Sequence, residues 1–308
     1  MDLSVIICTY NRCAGLKMTM NSLLLQEDAK ALSWEIVVVD NNCIDNTSGV
    51  VRDFMKHCGQ SVRYIIEKRQ GLSYARNTGI SVAKGKYLLF IDDDEIADRL
   101  LVREIYNTFE LYNCQCVGGK IHLNCEVEMP KWLKKELWGF LTYLDYGEHP
   151  FKMDEKRYPF GGNIAFAREI FEIVGGFDVN LGRKGTELFG GEEVDLFRRM
   201  LATGGNAVYQ PKAVVYHETG RSRMRKQYFR ELQYRYGMQK AWTDENQNQI
   251  SVLGVPLFSL KKLLKNIKAY ISVLLFHGRD SAFSNELGIV WTMGYIKCKL
   301  DRSFPKKK

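Results

Sequence analysis

The sequence predicts an α/β fold with a mostly parallel central sheet and a helical C-terminal extension. Over the first hundred residues, short apolar runs alternate with segments of helical spacing. Repeated βαβ units of this kind form parallel sheets with right-handed crossovers. The apolar runs end in polar residues at Thr9, at Asp40 and at 92–94. Beyond residue 221 the pattern is mostly helical.

Four apolar runs predict the strands of the first hundred residues, at 3–9, 34–39, 62–67 and 87–91. Continuous apolar runs are typical of parallel strands that are buried on both faces. Helices are predicted between them at 14–25, 46–58 and 72–83, and a further helix is expected at 96–109. Because ligands bind at the carboxyl ends of parallel strands, the polar residues there form the candidate site.

The middle of the chain is less regular. Strands are predicted at 116–123, 160–166 and 207–217, with helices before Gly175-Gly176 and at 192–203. The Gly-rich segment 181–191 is predicted to be a mobile loop. We therefore expect one domain over 1–220, with a nucleotide-binding half at 1–95 and an acceptor half at 96–220, followed by a basic helical extension at 221–308.

Charge is unevenly distributed along the chain. Its 308 residues carry a formal net charge of +8, but residues 221–308 contain 18 basic and 6 acidic residues, a net charge of +12. This imbalance favours an anionic partner for the extension, such as a membrane surface. Within it, 257–276 places apolar residues on one helical face and Lys261, Lys265 and Lys268 on another, as in interfacial helices. An ordinary surface helix is an equally good interpretation.

The cysteines and the N-terminus indicate a cytoplasmic protein. The eight cysteines form no CxxC pair and no zinc-finger spacing with histidine, so we expect all of them to be reduced. The N-terminus lacks a basic segment followed by an apolar one, so no signal peptide is expected. Since no apolar run approaches the ~20 residues of a transmembrane helix, any membrane attachment is expected to be peripheral, on the inner face.

Three consecutive aspartates, at 92–94, follow the fourth predicted strand. Their mutual repulsion is costly unless a cation or several hydrogen-bond donors compensate it. Mg²⁺ and Mn²⁺ prefer oxygen ligands and often keep phosphate oxygens in their shell, so the run indicates a divalent metal site. Alternatively, these carboxylates belong to the N-terminus of the helix expected at 96–109, where the helix dipole favours them.

Five segments, in order along the chain, resemble the motifs of family 2 glycosyltransferases. The resemblance spans residues 3 to 217 and implies a GT-A fold and an inverting, metal-dependent transfer from a nucleotide-diphosphate sugar. Together and in this order the five matches are specific. They are 5–12 (VIICTYNR), 36–42 (IVVVDNN, with 45–47 behind it), 71–79 (GLSYARNTG), 90–94 (FIDDD, the DxD motif) and 190–196 (GGEEVDL).

The resemblance also implies a role for each candidate residue. Asp94 would bind Mn²⁺ or Mg²⁺, and His217 would complete the metal shell. The second position of the later acidic pair is the usual general base, so Glu193 would deprotonate the acceptor, with Glu192 as the other candidate. The nucleotide is expected to contact Thr9, Tyr10, Asn11, Arg12, Asp40, Arg76, Asp92 and Asp93.

Other interpretations of these residues remain open. Asp40 can accept the imide N–H of uracil, which favours a UDP-sugar, but it can also cap the following helix. Arg76 can equally form an ion pair with Glu67 or Asp94. A lone histidine such as His217 is more often structural, and an acidic pair at a helix N-terminus also suits the helix dipole.

The candidate acceptor contacts lie in the predicted acceptor half of the domain, 96–220. Gly162 lets the backbone approach a sugar closely and Asn163 would present a hydrogen-bonding side chain, although a β-bulge explains the same residues. Trp132 could stack on an acceptor sugar or pack in the core.

These features predict an enzyme that transfers a sugar from a nucleotide-diphosphate sugar to a saccharide or lipid-linked acceptor, in surface polysaccharide synthesis. No nucleic-acid partner is expected, because no recognition motif accompanies the basic extension. One alternative is a nucleotidyltransferase, for which the Gly-rich phosphate loop after the first strand is missing. The other is a catalytically inactive nucleotide-binding module.

Overall fold

Four parallel strands form the first half of the central sheet in the computed structural model, which describes residues 1–29, 31–184, 190–244 and 250–303. The register sets Thr9 beside Asp40 and Cys8 beside Asp92. The polar ends of three strands therefore meet at one edge of the sheet, as the sequence predicts. In sheet order the strands are β3 (Ser61–Ile66), β2 (Trp34–Asp40), β1 (Leu3–Thr9) and β4 (Tyr87–Asp92).

Three helices connect these strands and pack on the sheet. Side chains alternate along each strand, so Val5 and Ile7 of β1 belong to one apolar cluster and Ile6 to another. The first cluster includes side chains of α1 and α2, and the second includes Ala75 of α3. The predicted alternation of strand and helix is confirmed. The helices are α1 (Cys13–Leu23), α2 (Thr47–His57) and α3 (Leu72–Val82).

Antiparallel strands extend the sheet beyond β4. The second half contains β5 (Glu95–Ala97), α4 (Leu101–Tyr112), β6 (Cys116–Cys125), β7 (Phe151–Lys152), β8 (Asn163–Ala167), α5 (Ile170–Val174), α6 (Glu192–Ala202) and β9 (Ala207–Thr219). Strand β8 lies between β4 and β6 and is antiparallel to both, and the order continues through β9 to β5. The predicted α/β fold is confirmed, as a mixed sheet whose parallel pairs belong to the first half.

The prediction of a helix at 96–109 is wrong at its start. Residues 95–97 form β5, which is antiparallel to β9, and α4 begins only at Leu101. Asp92 is therefore the last residue of β4, and Asp93 and Asp94 lie in the turn between β4 and β5. They do not belong to the first turn of a helix, so the helix-dipole interpretation of this run fails.

The chain divides into two units. The first contains residues 1–124 and 142–218, and the second contains 125–141 together with 219–308. A segment from the middle of the chain thus accompanies the basic extension. Besides two short 3₁₀ helices, the second unit contains α7 (Lys226–Thr243), a hairpin of β10 (Ser251–Val252) and β11 (Val255–Pro256), and α8 (Leu257–Ser303), which is interrupted at Gly278.

Two glycines let α7 and α8 approach each other closely. A Cβ atom on Gly237 would lie 1.9 Å from the carbonyl oxygen of Trp291, and one on Gly294 would lie 2.1 Å from that of Tyr234. Beside this crossing, Tyr295 packs on Ala241. In the part of the chain that the structure describes, no helix combines the length and the apolar character needed to cross a bilayer.

Candidate active site

The turn after β4 contains Asp93 and Asp94, and both bind the same guanidinium. Arg12 Nη1 lies 2.9 Å from Asp93 Oδ1 and 2.7 Å from Asp94 Oδ2. Thr9 Oγ1 donates to the other oxygen of Asp93 at 2.7 Å. Burial raises the pKa of Asp93 to about 7, while the charge of Arg12 opposes this rise. These contacts tie the turn to the end of β1, and both oxygens of Asp93 take part in them.

Asp94 and His217 face each other at this edge of the sheet. Asp94 Oδ2 lies 3.4 Å from His217 Nε2, and both side chains are almost fully buried. The pairing of β5 with β9 brings them together, because Glu95 lies opposite His217 and Glu218 N donates to the carbonyl of Asp94 at 2.8 Å. The sequence separates these two side chains by more than a hundred residues, and the sheet brings them into contact.

The Asp94–His217 pair fits a divalent cation. A carboxylate oxygen and an imidazole nitrogen are both donors that Mn²⁺ accepts, and such ions commonly complete their shell with phosphate oxygens and water. Within 1–29, 31–184, 190–244 and 250–303, no group of three His, Cys, Asp or Glu side chains is arranged to hold a metal ion. A cation at this pair would therefore depend on further ligands from a diphosphate or from water.

Glu95 binds the backbone at the end of β4. Its Oε2 accepts the backbone N–H of Asp92 at 2.9 Å, and its Oε1 has no hydrogen-bond partner among the described residues. Gly162 makes room for this carboxyl group, because a Cβ atom there would lie 2.2 Å from Oε1. Burial raises the pKa of Glu95 well above its ordinary value. Sequence reasoning missed this residue, although it directly follows the aspartate run.

Arg76 of α3 is buried among acceptors from three parts of the first unit. Its Nη1 lies 2.8 Å from Glu192 Oε1, and its Nη2 donates to the carbonyl of Gly161 at 3.0 Å and lies 3.5 Å from Asp92 Oδ1. The predicted ion pair of Arg76 with Glu67 or Asp94 is wrong. Glu67 instead binds the guanidinium of Arg69, its neighbour on the same loop, at 2.7 Å.

The acidic pair opens α6 after Gly191, whose φ of 96° lies in the left-handed region that glycine tolerates. Glu192 is 3% exposed and one of its oxygens binds Arg76. Glu193 is less buried, and desolvation together with the charge of Glu192 raises the pKa of Glu193 to about 7. Asp195 points to another partner, Arg199, at 2.8 Å. The pair thus consists of one fixed carboxylate and one that titrates near neutral pH.

Asp40 lies at the end of β2, but it does not cap α2. One of its oxygens accepts the backbone N–H of Cys43 at 2.7 Å, and the other accepts the hydroxyl of Tyr64. The N–H of Thr47, at the start of α2, is instead accepted by Asp45 at 3.1 Å. The helix-cap interpretation of Asp40 is therefore wrong.

Tyr10 and Asn11 form the loop between β1 and α1. Tyr10 is exposed, and Asn11 adopts a positive φ of 52°. The Asn11 side chain accepts the backbone N–H of Ile44 at 2.7 Å, and Asp45 accepts that of Cys13 at 2.9 Å. This loop is therefore joined to the loop after β2 on the same side of the sheet.

Of the predicted acceptor residues, Gly162 and Asn163 are buried and Trp132 is half-buried. Asn163 is 0% exposed, and its Nδ2 donates to the carbonyls of Lys120 and Ala213 at 3.0 and 2.9 Å. Gly162 packs against the carboxyl group of Glu95. Trp132 belongs to the second unit, where it packs edge-on against Phe229 and Phe283. None of these contacts supports the acceptor-binding assignment, because all three residues are used in packing.

Comparison with known proteins identifies the family. The profile described as "Glycosyl transferase family 2" matches residues 4–175, which is more than half of the chain. The chain belongs to glycosyl transferase family 2. A glucosyl-dolichyl phosphate glucuronosyltransferase of Haloferax volcanii is 30% identical over 234 residues, covering 71% of this chain and 69% of that protein. The chain is therefore a glycosyltransferase, as the motif resemblance predicts, and the nucleotidyltransferase interpretation is set aside.

Solved structures share the fold of this family 2 glycosyltransferase. The mannosyltransferase PcManGT from Pyrobaculum calidifontis, in complex with GDP-Man and Mn²⁺, has a TM-score of 0.61 at 16% identity and covers 99% of this chain and 88% of its own. S. aureus TarS 1–349 in complex with UDP has a TM-score of 0.53 at 14% identity, with 98% and 91% covered. At these identities the likeness concerns the GT-A fold alone, which confirms the predicted fold class.

Most of the predicted site of this glycosyltransferase comes together within the first unit. Arg12, Asp93, Asp94 and His217 form one connected group, and Arg76, Asp92 and Glu192 form a second. Gly161 and Glu95 complete these groups and carry no role in the sequence analysis. Residues 185–189, inside the Gly-rich segment predicted as a mobile loop, lie outside the described residues.

Proposed function

We propose that the protein is an inverting, metal-dependent glycosyltransferase that moves a sugar from a UDP-sugar to a saccharide or lipid-linked acceptor in surface polysaccharide synthesis. One observation carries this proposal. A pair suited to a divalent cation, Asp94 with His217, lies in one of the two groups that meet at 92–94, and Glu193, a carboxylate with a pKa near 7, directly follows Glu192 of the other group. Metal-assisted departure of a diphosphate and removal of an acceptor proton need these two components.

The proposed roles follow the two halves of the domain. Residues 1–95 bind the nucleotide, and residues 96–220 bind the acceptor. Asp94 and His217 would hold Mn²⁺ or Mg²⁺, and the ion would supply Lewis-acid stabilisation of the leaving diphosphate. Asp92, whose side chain is the most exposed of the three aspartates, faces the ribose.

The transfer is proposed to be a single displacement. Glu193 accepts the proton of the acceptor hydroxyl as that oxygen forms a bond to the anomeric carbon. The bond from this carbon to the β-phosphate oxygen breaks, and the nucleotide diphosphate takes its electron pair. Attack from the face opposite the leaving group inverts the anomeric configuration. Glu192 binds Arg76 and orients the reacting groups.

We expect UDP to bind more tightly than GDP in the presence of Mn²⁺. Uracil presents an N–H donor, and Asp40 offers carboxylate oxygens that each accept only one hydrogen bond in the contacts described above. A carboxylate oxygen accepts more than one hydrogen bond, so Asp40 retains capacity for the base. Isothermal titration with UDP and with GDP measures the difference. Equal or reversed affinities would contradict the assignment of Asp40 to uracil.

A thermal-shift panel tests the donor class more broadly. UDP-, GDP- and dTDP-sugars are compared with and without Mn²⁺, and the UDP-sugars are expected to give the largest Mn²⁺-dependent rise in Tm, because binding to the folded state raises stability. A rise of the same size without Mn²⁺ would contradict metal-dependent donor binding. No rise with any of the three classes would contradict the proposal that the donor is a nucleotide-diphosphate sugar.

The proposed acceptor is lipid-linked or polysaccharide. The Haloferax relative is named for a glucosyl-dolichyl phosphate substrate, and it aligns with 71% of this chain. That likeness supports an acceptor at a membrane surface. It agrees with the concentration of positive charge in residues 221–308, and we propose that the protein is peripheral on the inner face of the cell membrane.

The first part of α8 offers a surface for an anionic bilayer. Leu264, Ile271 and Leu275 are 61%, 49% and 74% exposed. The exposed Lys261 and Lys268 lie beside them on the same helical face, and not on a separate face as the sequence analysis predicts. Apolar side chains interleaved with lysines suit the headgroup region of a membrane, where lysine chains extend towards the lipid phosphates.

We expect the triple substitution Leu264→Gln, Ile271→Gln and Leu275→Gln to reduce co-sedimentation with anionic liposomes. Three exposed apolar side chains would no longer enter the bilayer, while the fold should survive changes at exposed positions. A matched control replaces Leu111 and Ile173, which are exposed in the first unit, with glutamine. Equal pelleting of the triple variant, the control and the wild type would show that α8 is an ordinary surface helix.

A further inference from the structure

We propose that Arg76 is a positioning residue, which holds Glu192 in a buried ion pair and thereby leaves the proton transfer to Glu193. This inference rests on the proposed function and deepens it. It replaces the expectation that Arg76 contacts the nucleotide.

Each terminal nitrogen of Arg76 already has an acceptor within the protein. Nη1 binds Glu192 Oε1 at 2.8 Å, and Nη2 binds the carbonyl of Gly161 at 3.0 Å with Asp92 Oδ1 at 3.5 Å. The residue is 3% exposed, and its guanidinium lies 5.3 Å from the ring centre of Phe177. A guanidinium enclosed in this way acts on its protein neighbours and does not reach a ligand in solvent.

Gly161 is shaped to accept this guanidinium. A Cβ atom at Gly161 would lie 2.7 Å from Arg76 Nη2, which is closer than side chains tolerate. The glycine therefore lets the backbone carbonyl approach the arginine. The contact with Arg76 therefore explains a glycine at position 161 without any acceptor sugar.

The charges around Arg76 explain why one carboxylate is fixed and the other titrates. The ionisable groups that face it are Glu192 and Glu193 on α6, Asp92 at the end of β4 and Cys8 on β1. Two neighbouring buried carboxylates do not both ionise readily without a cation. Because Arg76 binds Glu192 directly, the proton of the pair resides on Glu193, whose raised pKa follows from burial and from the charge of Glu192.

Glu192 depends on Arg76 for its placement. Its Oε2 is buried and has no hydrogen-bond partner within the described ranges, while its Oε1 binds Arg76 at 2.8 Å. The arginine thus binds one of the two adjacent glutamates directly and leaves the other for the acceptor.

The pH profile of donor turnover tests the proposal with Arg76→Met and Arg76→Lys. The substrate is whichever of UDP-glucose, UDP-N-acetylglucosamine and UDP-glucuronic acid the wild type hydrolyses fastest with Mn²⁺. For Arg76→Met, we expect the acidic limb of kcat/KM to move up by about one to three pH units, since an opposite charge near a carboxylate shifts its pKa by that amount. Arg76→Lys keeps the charge and should show a smaller shift.

The affinity for UDP is a second readout that tests the proposal. UDP affinity, measured by isothermal titration, should stay within about two-fold of the wild-type value, because ground-state binding does not involve Arg76. Loss of UDP affinity with an unshifted pH profile would make Arg76 a nucleotide ligand and overturn the proposal. An equal loss of rate at every pH would show that Arg76 has only a structural role and would also overturn the proposal.

Glu192→Gln supplies the second variant if circular dichroism shows that Arg76→Met does not fold. Removing the charge of Glu192 should lower the apparent pKa of Glu193, so the acidic limb should move to lower pH. An unchanged limb would overturn the coupling. Absence of turnover by the wild type at every pH would instead contradict the proposed function, so the two failures are distinguishable.

Discussion

Glu193→Gln is expected to lower turnover by about 10²–10⁴-fold, the usual contribution of a positioned general base. The amide keeps the shape of the side chain but cannot accept the acceptor proton. Donor binding should be nearly unchanged, because the residues proposed to bind the nucleotide and the metal lie at the ends of β1, β2 and β4, in the turn after β4 and on β9. Steady-state rates with isothermal titration of UDP measure the two effects separately.

The activity of the wild type should depend on pH through the ionisation of Glu193. A base must be ionised to act, and the pKa of Glu193 is raised to about 7 by burial and by Glu192. Activity should therefore rise with pH through about 7 and fall below it as Glu193 takes up a proton. Glu193→Gln should lose this limb together with most of the rate.

Asp195→Asn is the matched control for the base. Asp195 lies on the same helix, two residues further on, and binds Arg199. It should tolerate the amide with only a small change in rate. If Asp195→Asn slowed transfer as much as Glu193→Gln, the effect would belong to α6 as a whole. If Glu193→Gln left the rate unchanged, the base would lie elsewhere.

Asp94→Ala is expected to abolish Mn²⁺-dependent donor binding while the fold survives. Asp94 Oδ2 is the oxygen that faces His217 Nε2 at 3.4 Å, so its removal takes one of two protein ligands from the proposed cation. Repulsion among the carboxylates at 92–95 falls at the same time, so the Tm should be maintained or raised. Titration of UDP with and without Mn²⁺, together with a thermal melt, measures both effects.

The control for Asp94→Ala is Asp53→Ala on α2. Asp53 is an exposed aspartate that pairs only with Lys56, three residues along its own helix, in the salt bridges described. Its loss should change neither the UDP affinity nor the effect of Mn²⁺. If Asp94→Ala behaved like Asp53→Ala, the metal assignment of Asp94 would be wrong.

Local pattern was enough to predict the first half of the fold. The strands ending at Thr9, Asp40 and Asp92 are continuous apolar runs. A helix connects each of these parallel strands to the next, and the spacing of its apolar residues predicts it. Because such strands are neighbours along the chain, their order and the position of their polar ends follow from general rules.

The second half depends on contacts that a single sequence does not reveal. Strand β8 pairs with β4 across 70 intervening residues, and β5 is only three residues long. Pairing with β9 turns residues 95–97 into a strand although their local pattern suits a helix. Tertiary pairing here overrides local preference.

The candidate site shows the same division. The motif residues were predicted individually, but their partners were not. Arg76 and Glu192 are 116 positions apart, and nothing in the local sequence links them. Asn163 has the polar side chain expected of a ligand contact, yet it binds the carbonyls of two neighbouring strands. A buried amide and an exposed one are identical in sequence.

The most direct test of the central claim is the release of UDP from UDP-sugars by the full chain. Initial rates are measured with Mn²⁺, with EDTA and with Glu193→Gln, in the presence and absence of membrane lipid extract as a source of acceptor. We predict release that requires Mn²⁺, is stimulated by the extract and falls by about 10²-fold or more in the variant. Release that persists equally in EDTA and in Glu193→Gln, or tight UDP binding with no release at all, would contradict a metal-dependent transferase with Glu193 as its base.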